Sequence, residues 1–157
     1  MSISRTILGM SIALFAAGAA AQDQRPSYGA DINGASAKKV AAGVIAECQK
    51  NNWNIAVAIV DTHGALVYFE RMDDTQIASL DIAIAKAKAA ATFRRPTRAF
   101  VDVINKTSPA TATLPGVIGS PGGVPIVVGG KIIGASGVSG VTGDQDEQCS
   151  KAGVAGL

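Results

Sequence analysis

The chain has 157 residues, 14 basic and 12 acidic, with a net charge of +2 and 4% aromatic residues. That is enough length for one domain and too little for two comfortable ones. The near-neutral balance leaves no electrostatic footprint for nucleic acid, and the few aromatic rings leave no base-stacking platform.

Residues 1–21 read as a secretory signal peptide. Arg5 supplies the positive charge, Ile7 to Ala17 the apolar run, and Ala19-Ala20-Ala21 the small-residue cleavage site before Gln22. The run is too short to span a bilayer, and no later stretch is long and apolar enough. A periplasmic or secreted location without a membrane span is expected. Cleavage leaves 136 residues, with 13 basic and 12 acidic side chains. Residues 22–34 (QDQRPSYGADING) are polar, with Pro and Gly, and read as a flexible leader to a domain over 35–157.

Ser36 is a candidate cap for a helix over about 37–51, with Ala41, Val44, Ile45 and Cys48 on one face. "NIAVAIV" (54–60) is a short β-branched run, the mark of a strand buried on both faces or nearly so. "DTHG" (61–64) is a turn and "ALVYFERM" (65–72) the returning strand. Asp73, Asp74 or Thr75 then caps a long helix to about Phe93, with Ile77, Leu80, Ile84, Ala87 and Ala91 as its apolar stripe and Pro96 beyond its end. Thr97 is placed to cap a short helix to about Asn105, and residues 107–123 read as a long loop with one short strand near Val117-Ile118.

"VPIVV" and "KIIGASGV" flank Gly129-Gly130, a pair suited to a two-residue hairpin turn with positive φ at both positions. Gly134 and Gly137 mark a bulge or a close neighbour in the second strand. The stretch is neither a P-loop, since Lys131 is followed by Ile132, nor a dinucleotide fingerprint, since 137–143 spaces its glycines G-x-x-G-x-x-G. Thr142 opens a capping box and a last helix of about 143–156. Asp144, Asp146 and Glu147 in its first turn satisfy the helix dipole and repel an anion. The order is helix, hairpin, two helices, hairpin, helix. It predicts an α+β domain of two layers, an antiparallel sheet of two hairpins with helices on one face.

"VAIVDTHGALVYFERMDDTQIASLDIAIAKAKAAATFRRPT" (57–97) and "GGVPIVVGGKIIGASGVSGVTGDQDEQCSKAG" (122–153) together resemble the GlcG/HbpS family, which includes haem-binding proteins and the C-terminal domain of PduO-type proteins. The motifs are V-D-x-x-G, R-M-D, the S-x-x-I-A-x-x-K-A helix, G-G-x-P-I and I-G-A-x-G-V-S-G. The resemblance spans essentially the whole chain after residue 21. It implies a profilin-like fold, a symmetric homo-oligomer (often an octamer) and haem as cofactor, with haem degradation or extracellular redox sensing among the family's roles. The family's E-x-x-E iron motif is absent from this sequence. The adenosyltransferase activity of PduO-type proteins belongs to a different domain.

Under that resemblance His63, the only histidine, is the first candidate axial ligand to haem iron. The plainer reading is a solvated turn residue. If His63 binds haem, the site falls at a subunit contact, because a hairpin tip alone has no apolar pocket. Met72 and Tyr68 are further axial candidates, each competing with burial in the core. Arg71 is placed to clamp a carboxylate in a fork, or to pair with a neighbouring Asp. Lys86, Lys88, Arg94, Arg95 and Arg98 form a basic cluster suited to haem propionates or a small organic acid, or a solvated helix end. Asp73, Asp74 and Asp81 group near one helix start, where caps are the common use. Cys48 and Cys149 fall on apolar helix faces, as a disulfide or as two buried thiols. One histidine and no G-x-S-x-G elbow leave no hydrolytic triad. Three functions fit: haem binding in a homo-oligomer, an enzyme or binder for a small carboxylate, and a non-catalytic partner module.

Overall fold

The computed structural model describes residues 25–157; the signal-peptide segment lies outside them. The elements are β1 (Ser27–Tyr28), α1 (Gly34–Lys50), β2 (Ala56–Val60), β3 (Leu66–Arg71), α2 (Ser79–Thr92), α3 (Arg98–Lys106), a 3-10 turn (Pro109–Thr113), β4 (Gly123–Val128), β5 (Lys131–Ser139) and α4 (Gly143–Ala155). They make an α+β fold, four helices packed with a five-stranded mixed sheet.

β5 is the hub of the sheet. β4 runs antiparallel along one side of it, and β2 antiparallel along the other. β3 returns on β2 through the DTHG turn. Beyond the end of β2, β1 adds a short parallel strand, Ser27 opposite Lys131 and Tyr28 opposite Ile132. So the sheet is not purely two antiparallel hairpins. Part of the segment expected to be a leader is also built into the fold, with Ile32 in the core and Asn33 capping α1. Gly129 and Gly130, at φ +57° and +75°, make the expected two-residue turn between β4 and β5.

The sequence predicts two layers, and the structure has three. Along β2, Val57 and Ile59 join Val40, Val44 and Cys48 of α1 and Cys149 of α4 on one face. Ala56, Ala58 and Val60 join Ala83, Ala87, Ala90 and Ala91 of α2 on the other. All five β2 residues are fully buried, as a continuous apolar strand demands. The alanines bring α2 close to the sheet, and Gly137 brings it closer. A Cβ there would collide with the Ala83 carbonyl oxygen and the Ala87 nitrogen.

Several helix boundaries also differ. α1 is capped by Asn33, not Ser36; Asn33 Oδ1 accepts the Ser36 N–H at 2.9 Å. α2 starts at Ser79, not at Asp73–Thr75, because Asp74 takes φ +61° and residues 73–78 turn instead. Ile77, expected in the apolar stripe, is therefore 80% exposed. Thr97 stands at the N-cap position of α3 as expected, but its side chain makes no capping bond. It is buried and exchanges hydrogen bonds with Gly123, its Oγ1 accepting from Gly123 N and its own N–H donating to Gly123 O, both 3.0 Å. No strand forms at Val117-Ile118. α4 has the expected capping box between Thr142 and Gln145. Cys48 and Cys149 are bonded across α1 and α4, Cα atoms 5.6 Å apart.

Candidate functional site

The β2–β3 hairpin sorts the candidate residues into two groups. His63 sits at its tip, while Arg71 and Met72 sit at the far end of β3. At about 3.4 Å per strand residue the two groups stand roughly 20 Å apart. One protomer therefore does not combine His63 with Arg71 and Met72.

The tip is built by its own polar residues. Asp61 Oδ1 accepts the N–H groups of His63 (2.9 Å) and Ala65 (2.8 Å), and Gly64 takes φ +83°. Thr62 reaches back to the segment before α1. Its hydroxyl donates to Asp31 Oδ1, and its backbone N–H donates to the same oxygen at 3.0 Å. The Thr62 hydroxyl, then its N–H, and more weakly the imidazole beyond, hold the Asp31 carboxyl below its usual range. His63 Nδ1 lies 3.2 Å from Thr62 Oγ1 and 3.8 Å from Asp31 Oδ1, while the side chain stays 80% exposed. Asp31, Asp61 and His63 each place one ligand atom within 4.8 Å of the others.

α2 passes beneath this tip. Gly64 rests on Lys88 and Thr92, where an added Cβ would meet Lys88 Cγ at 3.4 Å and Thr92 Cγ2 at 3.5 Å. The Tyr28 hydroxyl lies 3.0 Å from both the Ala91 and Thr92 carbonyl oxygens at the end of α2, in reach to donate to either. Arg94, at φ +55°, stands over the Tyr28 ring, 5.6 Å from its centre. His63, Lys88 and Arg94 thus share one end of the molecule.

The rest of the basic cluster does not join them. Lys86 is fully buried; its Nζ donates to Asp146 Oδ2 at 2.7 Å and to Val138 O at 3.1 Å. It is a structural ion pair rather than a surface group open to a ligand. Burial pushes the Asp146 carboxyl up, against the pull of Lys86 and of the Val141 and Gly140 N–H groups. Arg95 lies over the Phe100 ring, and Arg98 ties α3 to Asp144 and Glu147 of α4. Asp146 and Glu147 are thereby spent on side-chain partners rather than on the helix dipole alone.

At the other end, Glu70, Arg71, Met72, Asp73 and Asp74 line an open pocket of about 420 Å³ with Ile45 and Gln49 of α1 and Asn54. Three carboxylates and one guanidinium make it unfavourable to an anion. That counts against Arg71 as a clamp for a small carboxylate. Met72 packs against the core. The Tyr68 hydroxyl donates to Glu70 Oε2 at 2.7 Å, and this bond first, then burial, pushes its pKa up. A phenol so held is a poor source of phenolate. Asp81 lies exposed in the first turn of α2.

Asp31, Thr62 and Tyr28 were missed as site residues. Asp31 and Tyr28 lie in the apparent leader, 31 and 63 positions from the partners they bond. Only the neighbouring "TH" of "DTHG" offered a local signal, and it named Thr62 at most.

Comparison with known proteins gives a consistent picture. The HbpS-like family, described as haem degrading protein HbpS-like, matches residues 32–155. Protein GlcG of Escherichia coli K12 is 42% identical over 106 residues, 65% of this chain and 79% of that one. The crystal structure of a double mutant of HbpS from Streptomyces reticuli superposes with a TM-score of 0.76 at 29% identity, covering 90% of this chain and 97% of that one. A crystal structure of a PduOC–heme complex shares the fold, with a TM-score of 0.73 at 23% identity over 81% of this chain and 95% of that one. With a family match across nearly all of its described residues and a relative at this level of identity, the chain belongs to the HbpS-like family.

Proposed function

We propose that the protein is an exported haem-binding protein that works as a homo-oligomer, with His63 as the axial ligand to the iron. The observation that carries this reading is the hairpin tip. It presents the only imidazole of the chain at 80% exposure, with one ring nitrogen engaged within the protein. Metal-ligating histidines characteristically have their second nitrogen so engaged. Lys88 and Arg94 at the same end suit the two propionates of haem, which prefer cationic partners. When bound, haem would supply an iron centre for redox chemistry, its properties set by the axial ligand and its surroundings.

The tip is open, so a subunit contact is needed to enclose a haem. Exposed Tyr28 and Leu66, the latter beside the turn, offer apolar surface for it. Export is supported by the charged, apolar and small-residue pattern of residues 1–21, and by a disulfide, which persists in oxidising compartments. Among the described residues no helix is long and apolar enough to cross a membrane.

The test is a haem titration of residues 22–157 followed by absorption, with His63→Ala alongside. A saturable, stoichiometric Soret shift that the variant loses is the expected result. A shift that survives in His63→Ala removes His63 as ligand, and no shift at all removes haem.

A further inference from the structure

Thr62 links two groups through its single hydroxyl. Its one hydroxyl proton is spent on Asp31, whose Oδ1 also accepts the Thr62 N–H at 3.0 Å. The oxygen keeps an acceptor lone pair, and His63 Nδ1 lies 3.2 Å from it. A ring nitrogen facing an oxygen with no proton left to give must itself carry the hydrogen. In the neutral ring the lone pair is then on Nε2, which has no hydrogen-bond partner among the described residues. Asp61 Oδ1 accepts the N–H groups of His63 and Ala65, and the carboxylate that pairs with the ring nitrogen is that of Asp31. The charged groups around the imidazole are Asp31 from the segment before α1, Asp61 from the hairpin itself, and Lys88 from α2 beneath Gly64.

We propose that Asp31 and Thr62 are positioning residues for His63. The chain from His63 Nδ1–H to Thr62 Oγ1–H to the Asp31 carboxylate holds the imidazole in one tautomer and presents Nε2 as its ligating atom. The ligating role rests on the haem-binding reading; the tautomer does not. Without such an acceptor the proton of a neutral histidine sits mainly on Nε2, where it would block ligation. The arrangement is a side-chain version of the carboxylate-backed histidine of metal sites, with a hydroxyl inserted between the two.

The test begins without haem. The protein is labelled with nitrogen-15, carries no histidine tag, and is held at a pH where the ring is neutral. Because His63 is the only histidine, its two ring nitrogens are read without ambiguity from long-range proton–nitrogen correlations. The wild type is expected to show a protonated Nδ1 and a bare Nε2, and Thr62→Ser to keep that pattern. Thr62→Val removes the acceptor and moves the proton towards Nε2. Asp31→Ala does the same by another route, since the freed Thr62 hydroxyl turns to donate to Nδ1. Circular dichroism confirms that each variant is folded. A wild-type ring protonated on Nε2, or a Thr62→Val ring unchanged from wild type, overturns the proposal.

Haem titration of the same variants separates the two claims. Thr62→Val is expected to weaken binding by about tenfold or more, with Thr62→Ser restoring it. If wild type binds haem through His63 while Thr62→Val binds equally well and keeps the wild-type tautomer, the positioning role falls and the haem reading stands. If wild type never binds haem, the haem reading falls and the tautomer pattern alone decides whether the hydrogen-bond chain exists.

Discussion

Two polar residues show how far a side chain's role departs from its type. Asp31 is an exposed carboxylate, yet the Thr62 hydroxyl and N–H favour its charged form and lower its pKa. A carboxyl with a depressed folded-state pKa adds stability above its unfolded value, near the ordinary 3.8, and loses it as pH falls through the folded value. Thr62→Val should therefore lower stability at neutral pH and flatten the acid limb below about pH 4, the two proteins converging as Asp31 becomes protonated. Urea midpoints measured across that range check it; an unchanged acid limb contradicts it. Lys86 is the opposite case, a cation with no surface. Removing its charge with Lys86→Ala strands Asp146 in the interior and should cost about 3–5 kcal/mol. Lys86→Met combined with Asp146→Asn should recover much of that, because no buried charge remains and the amide oxygen still accepts the Val141 N–H that Asp146 Oδ1 accepts at 3.2 Å. Denaturant unfolding of the single and double variants measures the difference.

Between elements, the Lys86–Asp146 pair joins α2 and α4, helices on opposite faces of the sheet, at the end where Gly122 leads into β4 at Gly123. Side chains there would fill the passage, since a Cβ on Gly122 would stand 3.0 Å from Lys86 Nζ and 2.6 Å from Val138 O. The disulfide fastens α1 to α4 within one face and closes a loop with a sequence separation of 101. Cys149→Ser should cost about 2–5 kcal/mol, and a reductant should destabilise wild type but not the variant. Thermal unfolding with and without dithiothreitol decides this. The elements themselves were largely legible in the sequence. "NIAVAIV", Gly129-Gly130 and the Thr142 capping box each carry a strong local pattern, and the structure follows them. Less legible was whatever depends on distant partners. β1 is two residues in a polar stretch, with no periodicity to detect. The start of α2 shifted because three candidate caps stood in a row and Asp74 took a left-handed turn. The third layer was implicit in a strand apolar on both faces, but no local pattern says which helix covers which face.

At the scale of the whole molecule, the site divides the same way. His63 was legible as the only histidine in an exposed turn. Lys88 and Arg94 were legible as members of a basic cluster, but only the fold separates them from Lys86, Arg95 and Arg98, which serve packing and helix ties. The Asp31 and Thr62 support was not legible because it spans the apparent leader and the hairpin. The hairpin ends also lie too far apart for one protomer to use both, so the Arg71 pocket is separate from any ligand at His63. A haem at the tip would then be enclosed by a second copy, and binding should be coupled to assembly.

The most direct measurement is a crystal of the haem-loaded protein with the iron located by its anomalous scattering. Iron at bonding distance from His63 Nε2, with the propionates turned towards Lys88 and Arg94, is the expected result. Iron placed at the Arg71 pocket, or bound through any group other than His63, would contradict it.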